Sequence, residues 1–180
     1  MAGRFSPFGG TDESDLYDDY GEFVPEHVPE PGPFLDGHRI LTGDEHVTFH
    51  ERTRDVFEER TVYDTTFNYN LARLNLDTRH EDAGFRYAVE TGDSSVLRAE
   101  FTPTTPFCPQ SHTLALGAFR AWNGLSDRHD FDLVRVRVSA MHQQSDAINE
   151  QLAALETRYL DTGTVPDAST DLSTVDSAMR

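Results

Sequence analysis

The sequence predicts an α+β fold, a small two-layer sandwich whose helices cover one face of a three-stranded mixed sheet. Three segments alternate apolar and polar residues, the period of a half-buried strand, and three repeat apolar residues every three or four positions, the period of an amphipathic helix. In chain order they read helix, strand, strand, helix, strand, helix. A chain of 180 residues is long enough for one hydrophobic core of this kind.

The first half of this domain is predicted to hold a helix, a loop and a β-hairpin. Residues 44–62 mix charged residues with spaced apolar ones and favour the helix. Residues 63–78 show only a weak pattern, which predicts a loop with a short turn. Residues 85–102 contain two alternating strands joined by a tight turn at Gly92-Asp93, the pattern of a β-hairpin.

The second half is predicted to form a helix, a strand and a helix. An apolar stripe predicts a helix from Pro109 to about Gly124, since proline is tolerated as the first helical residue. Residues 134–138 alternate valine with arginine, which predicts a strand with one buried face. Ser145 or Asp146 can cap the last helix. The apolar residues of that helix share one face: Ile148, Leu152, Leu155 and Tyr159.

The two ends of the chain differ in composition from the middle. Residues 1–40 are rich in Asp, Glu, Pro and Gly, and predict an acidic flexible arm that docks locally through its aromatic residues. Residues 161–180 are rich in Ser, Thr and Asp and predict a disordered tail. The folded domain is therefore expected to span residues 44–160.

The charge balance is extreme and restricts the partners. The chain carries 32 acidic residues against 15 basic ones, every basic residue is arginine, and the formal net charge is −17. Such an excess is typical of proteins adapted to high salt, and it argues against nucleic-acid binding. A single cysteine fits a reducing compartment, and no secretory signal or membrane span is visible. These features predict a halophilic, cytoplasmic protein.

Cys108, the only cysteine, lies between Pro106 and Pro109 where a strand is predicted to lead into a helix. The orphan N–H groups and the dipole of a helix N-terminus favour the thiolate, which is the reactive and metal-binding form of cysteine. A buried, inert thiol is the commoner fate of a free cysteine. The proline-flanked turn nevertheless favours a functional position for this one.

Hydroxyl and imidazole groups flank this cysteine in the sequence. His112 follows four residues later and His142 follows the last predicted strand, so each is a candidate metal ligand beside the thiolate, with a solvated surface histidine as the alternative. Hydroxyls next to a helix N-terminus usually cap backbone N–H groups, and a functional role is the second option for them. The hydroxyl residues concerned are Thr104, Thr105, Ser111 and Thr113.

Several other chemistries are disfavoured. The chain has no Gly-x-Ser-x-Gly elbow and no glycine-rich phosphate loop, and a hydrolase using Cys108 with His112 or His142 is the least favoured option. One cysteine cannot complete a structural zinc site or a four-thiolate cluster, so any cluster must be shared with a second chain. His46 and His50 are spaced to chelate a metal, but a solvated helix face explains them more simply.

Two segments resemble known motifs. Residues 104–114, Thr-Thr-Pro-Phe-Cys-Pro-Gln-Ser-His-Thr-Leu, resemble the signature Thr-Ser-Pro-x-Cys-Pro-x-Ala-x-x-Ile of metal–sulfur cluster assembly factors, the group of SufT, PaaD and the cytosolic iron–sulfur targeting factors. Residues 136–152 are similar to the targeting-factor ending, Thr-His-Ala-Ser-Glu-x-Ala-Val-Asn-x-Gln-Leu after a strand. The matching positions there are His142, Ala147, Asn149, Gln151 and Leu152. The resemblance spans roughly residues 44–158.

The chain departs from the family pattern after its first helix. Members carry Asp-Pro-Glu-Ile-Pro-Val-Asn-Ile-x-Asp-Leu-Gly-Leu there, and this chain has Thr66 in place of the glutamate and Arg73 in place of the second aspartate. Ser145 likewise replaces a glutamate in the second motif. The retained positions are Asp64, Asn70, Leu74 and Leu76. If these carboxylates assist metal or cluster handling in family members, this chain lacks the carboxylates that would do so at these three positions.

The resemblance implies a non-catalytic accessory factor that assembles iron–sulfur clusters or transfers them, with Cys108 as the ligating thiolate and Asp64 and Asn149 as further functional residues. No cofactor is expected to bind stably to the chain alone, and a transient iron–sulfur cluster or iron ion is the implied cargo. Client or scaffold proteins of cluster assembly are the implied partners, and a homodimer is an open option. The alternative is a divergent member that serves as an interaction or structural subunit of a larger complex.

Overall fold

The computed structural model of the chain describes residues 16–165, so the expectations for residues 1–15 and 166–180 lie outside the described residues. The fold is α+β, with a mixed sheet and three long helices. The helices are α1 (Gly43–Arg60), α2 (Ser111–Gly124) and α3 (Ser145–Thr162). In the described part of the chain, no helix combines the length and apolar character needed to cross a membrane.

The main sheet has four strands, not the three that were predicted. Strands β4 (Gly84–Val89) and β5 (Val96–Thr102) form the predicted hairpin, and β6 (Leu133–Val138) pairs with β5 in parallel. The additional strand, β1 (Arg39–Ile40), pairs antiparallel with β4 at the edge. A two-residue strand is too short to show alternation, so no sequence pattern could reveal it.

The core lies between one face of this sheet and the helices. Every second residue of β4, β5 and β6 points into it, as the alternation predicted, and the aromatic side chains of Phe57, Phe85 and Trp122 pack at its centre. Ring-centroid distances of 5.0–5.7 Å among these three side chains lie in the range of favourable aromatic contacts. The remaining long helix, α3, contributes Ile148, Leu152 and Leu155.

Two details of the helices correct the sequence predictions. The helix predicted from Pro109 begins at Ser111, with Gln110 as its N-cap. His46 and His50 of α1, expected on a solvated face, are 3% and 2% exposed. Their burial comes from tertiary packing, since aromatic rings of the preceding segment cover both imidazoles: Phe23 lies 4.6 Å from His46 and Tyr20 lies 6.1 Å from His50 between ring centroids.

The segment predicted as a loop, residues 63–78, is compact. It contains a small hairpin of β2 (Tyr63–Asp64) and β3 (Tyr69–Asn70), followed by a 3-10 helix over Leu71–Leu76. Leu71 and Leu74 of this helix are fully buried in the core. Short strands and 3-10 turns have no long periodicity, which explains why the sequence pattern there is weak.

Residues 16–36, here called the N-terminal strap, lie against the domain, which differs from the expected flexible arm. The strap crosses the sheet face opposite the helices, where Phe34 lies 4.7 Å below the Arg98 guanidinium and Leu35 is fully buried. The Glu100 carboxylate accepts the Gly32 N–H at 2.6 Å. Docking by aromatic side chains was predicted, but these backbone and charged contacts have no signature in composition.

Candidate functional site

Three loops meet at one edge of the sheet. The parallel strands β5 and β6 end at the same rung, where Phe101 pairs with Val138, so the loops that follow them leave from the same edge. The β5–α2 turn carries Cys108 and the β6–α3 loop carries His142. The β2–β3 loop, with Thr65 and Thr66, joins them from the side.

Cys108 is half-buried in a tight turn just before α2. Its N–H donates to the Thr105 carbonyl at 3.4 Å, and its carbonyl accepts the Ser111 N–H at 3.3 Å. The cysteine therefore lies three residues ahead of the helix rather than on its first turn. The thiol is still beside the helix N-terminus and is accessible from solvent.

His142 is buried and fixes the cysteine turn from the opposite loop. Its Nε2 faces the Cys108 carbonyl oxygen at 2.9 Å, and its Nδ1 faces the Gln144 N–H at 3.0 Å. A carbonyl only accepts and an amide N–H only donates, so the imidazole is neutral and carries its proton on Nε2. With both nitrogens engaged, His142 positions the turn and is not free to ligate a metal in this arrangement.

His112 lies on the other side of the cysteine and is exposed. Its Nε2 contacts the Oε1 atom of Gln151 on α3. A candidate ligand and a residue matched by the second motif thus meet here, although no hydrogen bond joins either of them to the thiol.

A cleft opens where these side chains converge. It has a volume of about 310 Å³ and is bounded on one side by Phe107, whose side chain is 66% exposed. Met141, in the neighbouring loop, is 41% exposed. The residues that line the cleft are Pro106, Phe107, Cys108, Pro109, His112, His142, Gln143, Gln144 and Ile148. The thiol therefore lies in a cleft with an apolar rim and without a carboxylate or guanidinium group in its wall.

The hydroxyl residues near Cys108 do not all cap backbone N–H groups as predicted. Thr105 accepts the Phe107 N–H at 3.3 Å and so stabilises the turn, but no side chain caps the start of α2. Ser111 is completely buried, and among the described residues its Oγ has no hydrogen-bond partner. Thr104 is half-buried and Thr113 is exposed.

Asp64 organises the β2–β3 loop rather than facing the thiol. It is 4% exposed, and its Oδ1 accepts the Thr66 N–H at 2.7 Å and the Phe67 N–H at 3.2 Å. This loop in turn holds Gln110, whose Oε1 accepts the Thr65 N–H at 2.9 Å and whose Nε2 donates to the Thr66 hydroxyl. The aspartate thus supports the cysteine turn through Gln110, two residues after the thiol.

Asn149 ties α3 to the end of β6. Its Oδ1 accepts the Val138 N–H at 2.7 Å and its Nδ2 donates to the Val138 carbonyl at 3.0 Å. The amide side chain thus extends the hydrogen bonding of the edge strand. Asn149 therefore fixes the helix behind the cleft and does not line it.

The departures from the family motifs also have structural roles. Thr66, in place of a glutamate, binds Gln110, and the guanidinium of Arg73, in place of an aspartate, lies 3.8 Å above the Tyr17 ring of the strap. Ser145 is buried and its N–H donates to the His142 carbonyl at 3.2 Å. These positions contribute hydrogen bonds and a cation–π contact where the motifs that the chain resembles have carboxylates.

Within residues 16–165, no three His, Cys, Asp or Glu side chains lie close enough to hold a metal ion. The site therefore offers one sulfur donor in a neutral cleft. Sequence reasoning identified Cys108, His112 and His142 but missed Phe107 and Gln110. Phe107 has a usable signal, an aromatic residue between two prolines in a turn, whereas the role of Gln110 depends on a loop far away in sequence.

A family model described as a domain of unknown function, DUF7998, matches residues 15–166. The match includes all of the N-terminal strap and all of the elements around the cleft. Neither the comparison with curated proteins nor that with solved structures gave a significant match.

Proposed function

Since the chain belongs to the DUF7998 family of unknown function, we propose a role from its own site: a cytoplasmic, non-catalytic accessory factor of iron–sulfur cluster assembly or transfer. The observation that carries the proposal is the position of Cys108, a lone accessible thiol in a neutral cleft whose rim exposes Phe107. Such a thiol can supply one ligand to a cluster whose other ligands come from another chain.

The chemistry of the cargo fits a shared site. Iron–sulfur clusters are held largely by cysteine thiolates, and this chain has one cysteine. His112 and His142 are the nearest candidates for further ligands, but both nitrogens of His142 are engaged by Cys108 and Gln144, and the Nε2 atom of His112 contacts Gln151. The accessory factor would therefore present Cys108 to a client or scaffold protein and hold the cluster only while the two are in contact.

The same contacts argue against a thiol hydrolase. A catalytic cysteine needs a histidine that accepts its proton, with a nitrogen within hydrogen-bond reach of the sulfur. His142 uses Nε2 on the Cys108 carbonyl and Nδ1 on the Gln144 N–H. The His112 Nε2 contacts Gln151. A non-catalytic role is therefore the better supported one.

A second candidate function is an interaction subunit of a larger complex. The exposed side chains of Phe107, which lines the cleft, and Met141, which precedes the lining residue His142, favour it, because exposed apolar surface can mark a protein-binding site. In that case the thiol would be incidental. The two candidates differ in whether partner binding needs Cys108.

The test compares the wild type with Cys108→Ser in two measurements. First, each protein is purified without oxygen and its iron and sulfide content is determined; we expect a colourless, nearly iron-free chain in both cases. Second, each is used to capture partners from an extract of the source cells in molar potassium chloride. We expect the wild type to recover cluster proteins and Cys108→Ser to lose them, while His112→Ala serves as the matched control at the rim.

Two results would overturn the proposal. A brown, stoichiometrically iron-loaded monomer would mean that the chain binds a cluster without a second protein. Equal recovery of partners by the wild type and Cys108→Ser would favour the interaction subunit instead.

A further inference from the structure

The surface around the cleft differs in charge from the rest of the chain. Of the 32 acidic residues, none lies between Glu100 and Asp127, and none lies between Asp132 and Asp146. These two runs supply every residue that lines the cleft except Ile148, which follows Asp146 in α3, and the second run also contains Met141. Other surfaces are strongly acidic, and helix α1 alone exposes Asp44, Glu45, Asp55, Glu58 and Glu59.

This distribution determines which surfaces two like chains can bring together. Two molecules of formal charge −17 repel each other, and the repulsion is strongest where acidic side chains meet acidic side chains. The cleft face lacks these groups, so a second copy can approach there at the lowest electrostatic cost. Asp146, in the first turn of α3, lies between the lining residues Gln144 and Ile148 in the sequence, so it is the acidic residue nearest to this face along the chain.

The face is also complementary to itself. Phe107 and Met141 expose apolar surface, and Gln143 and Gln144 expose amide groups that both donate and accept hydrogen bonds. A two-fold axis brings the same residues of both chains together, so each group must fit its own kind. Apolar side chains and amides meet this condition, whereas a face of one charge does not.

We propose that two copies of the chain pair through this face about a two-fold axis, so that the two Cys108 thiols line one shared site. The proposal rests on the proposed function and deepens it, because the second chain of the shared site is then a copy of the first. Each copy contributes one thiolate to the cargo. The pair would still leave coordination positions open for a client, as transfer requires.

The test is the oligomeric state in molar potassium chloride, measured by sedimentation equilibrium over a range of protein concentrations. We expect the wild type to dimerise, and Phe107→Asp to weaken the dimer by about tenfold or more, since the substitution removes an apolar contact and places a carboxylate in the interface, which must lose its hydration. Leu160→Asp is the matched control. Leu160 is 60% exposed near the end of α3, and its substitution adds the same charge away from the cleft.

A second readout tests the geometry of the pair. A short bismaleimide joins two thiols only when they lie close together, so we expect it to cross-link the wild type through Cys108 and Leu160→Asp equally well. Phe107→Asp should give little cross-linked product although its Cys108 still reacts with a single maleimide, and an unchanged circular dichroism spectrum shows that it is folded.

A wild type that stays monomeric at all concentrations and salt levels would overturn the proposal, as would a dimer that Leu160→Asp breaks and Phe107→Asp leaves intact. These outcomes are independent of the capture experiment. A monomer that still captures cluster proteins through Cys108 would refute the pairing alone. A dimer whose partner capture ignores Cys108 would refute the proposed function and leave the pairing.

Discussion

His142 holds the turn of Cys108 in place across the edge of the sheet. Its Nε2 donates to the Cys108 carbonyl at 2.9 Å, a bond between residues 34 positions apart in the sequence. The imidazole is 5% exposed, so the bond is shielded from water. The residue that its position after the last strand made a candidate metal ligand thus supports the thiol-bearing turn.

Replacement of His142 by alanine should loosen this turn. Two partly buried hydrogen bonds are lost and a backbone carbonyl is left with fewer partners, which should lower the free energy of unfolding by about 1 kcal/mol or more. Urea unfolding measures this loss, and native-state labelling of Cys108 with iodoacetamide should become faster. His112→Ala, at an exposed position, should leave the stability nearly unchanged. An unaltered unfolding curve for His142→Ala would contradict the supporting role.

Asp64 allows a structural role to be separated from metal handling. Asp64→Ala removes the oxygen that accepts two loop N–H groups and should cost about 1 kcal/mol or more in thermal or urea unfolding. Asp64→Asn keeps an oxygen acceptor without the charge and should retain most of the stability. Asp55→Ala, on the exposed surface of α1, is the control. If Asp64→Asn lowers the stability as much as Asp64→Ala does, the charge itself is required, and hydrogen bonding to the loop does not explain the role of Asp64.

The buried histidine pair should make the fold sensitive to acid. Burial lowers the pKa of His50 to about 4, and burial with repulsion from His50 and Arg86 lowers that of His46 to about 2. The unfolded chain takes up these protons near pH 6.5 and the folded chain does not. The contribution of the two neutral histidines to the free energy of unfolding is therefore complete above about pH 6.5. Between about pH 6.5 and about pH 4 it falls by about 1.4 kcal/mol per pH unit for each histidine.

Urea unfolding across this pH range tests the sign and size of the effect. His46→Phe removes one of the two titrating groups and keeps an aromatic ring between Phe23 and Tyr87. The variant should lose stability less steeply on acidification than the wild type. Parallel pH profiles for the two proteins would show that His46 does not contribute as described.

Gly32 allows the close approach of the strap to Glu100. A Cβ atom added there would lie 2.6 Å from the Glu100 Oε2, closer than such contacts allow, so the carboxylate must shift. Gly32→Ala should therefore weaken the bond from the Gly32 N–H to Glu100 and loosen the strap, and protease cleavage before residue 40 should become faster while the core stays folded. Gly117→Ala in α2, where a Cβ would lie 3.7 Å from Val62, should be neutral or stabilising. Equal cleavage of Gly32→Ala and the wild type would contradict this close fit.

The acidic surface should make stability depend on salt. With a formal charge of −17, screening by salt weakens self-repulsion in the folded chain. The melting temperature should rise by several degrees from low to molar potassium chloride, and sodium chloride should act similarly because screening depends on ionic strength. A melting temperature that stays constant over this range would argue against both the electrostatic explanation and adaptation to high salt.

The parts of the fold that the sequence predicts are those with long periodicity. The hairpin of β4 and β5, the strand β6 and the three helices follow from alternation and helical stripes, and their ends lie within a few residues of the predicted ones. Strand β1 has two residues, and the strap has no repeat at all, so neither leaves a pattern. His46 and His50 illustrate the same limit, because their burial depends on rings from a segment that precedes the helix.

At the site, the proximity of the loops was predictable and the hydrogen bonds were not. The loop after a last strand was expected to face the Cys108 turn, and the parallel pairing of β5 and β6 brings His142 there. Whether an imidazole ligates a metal or supports a backbone depends on distances of about 3 Å, which residue spacing does not encode. The part played by Gln110 likewise needs the tertiary arrangement of the β2–β3 loop.

The strap has a consequence for the order of folding. Residues 16–36 are synthesised before the rest of the described chain, but the Glu100 carboxylate that holds Gly32 lies 68 residues further along the sequence. The Arg137 guanidinium, 5.4 Å from the Phe34 ring, is synthesised later still. A growing chain emerges from the ribosome N-terminus first. The part of the strap around Gly32 and Phe34 is therefore among the last segments to reach its place, and until β5 and β6 have paired, the charged face of the sheet that it covers stays hydrated.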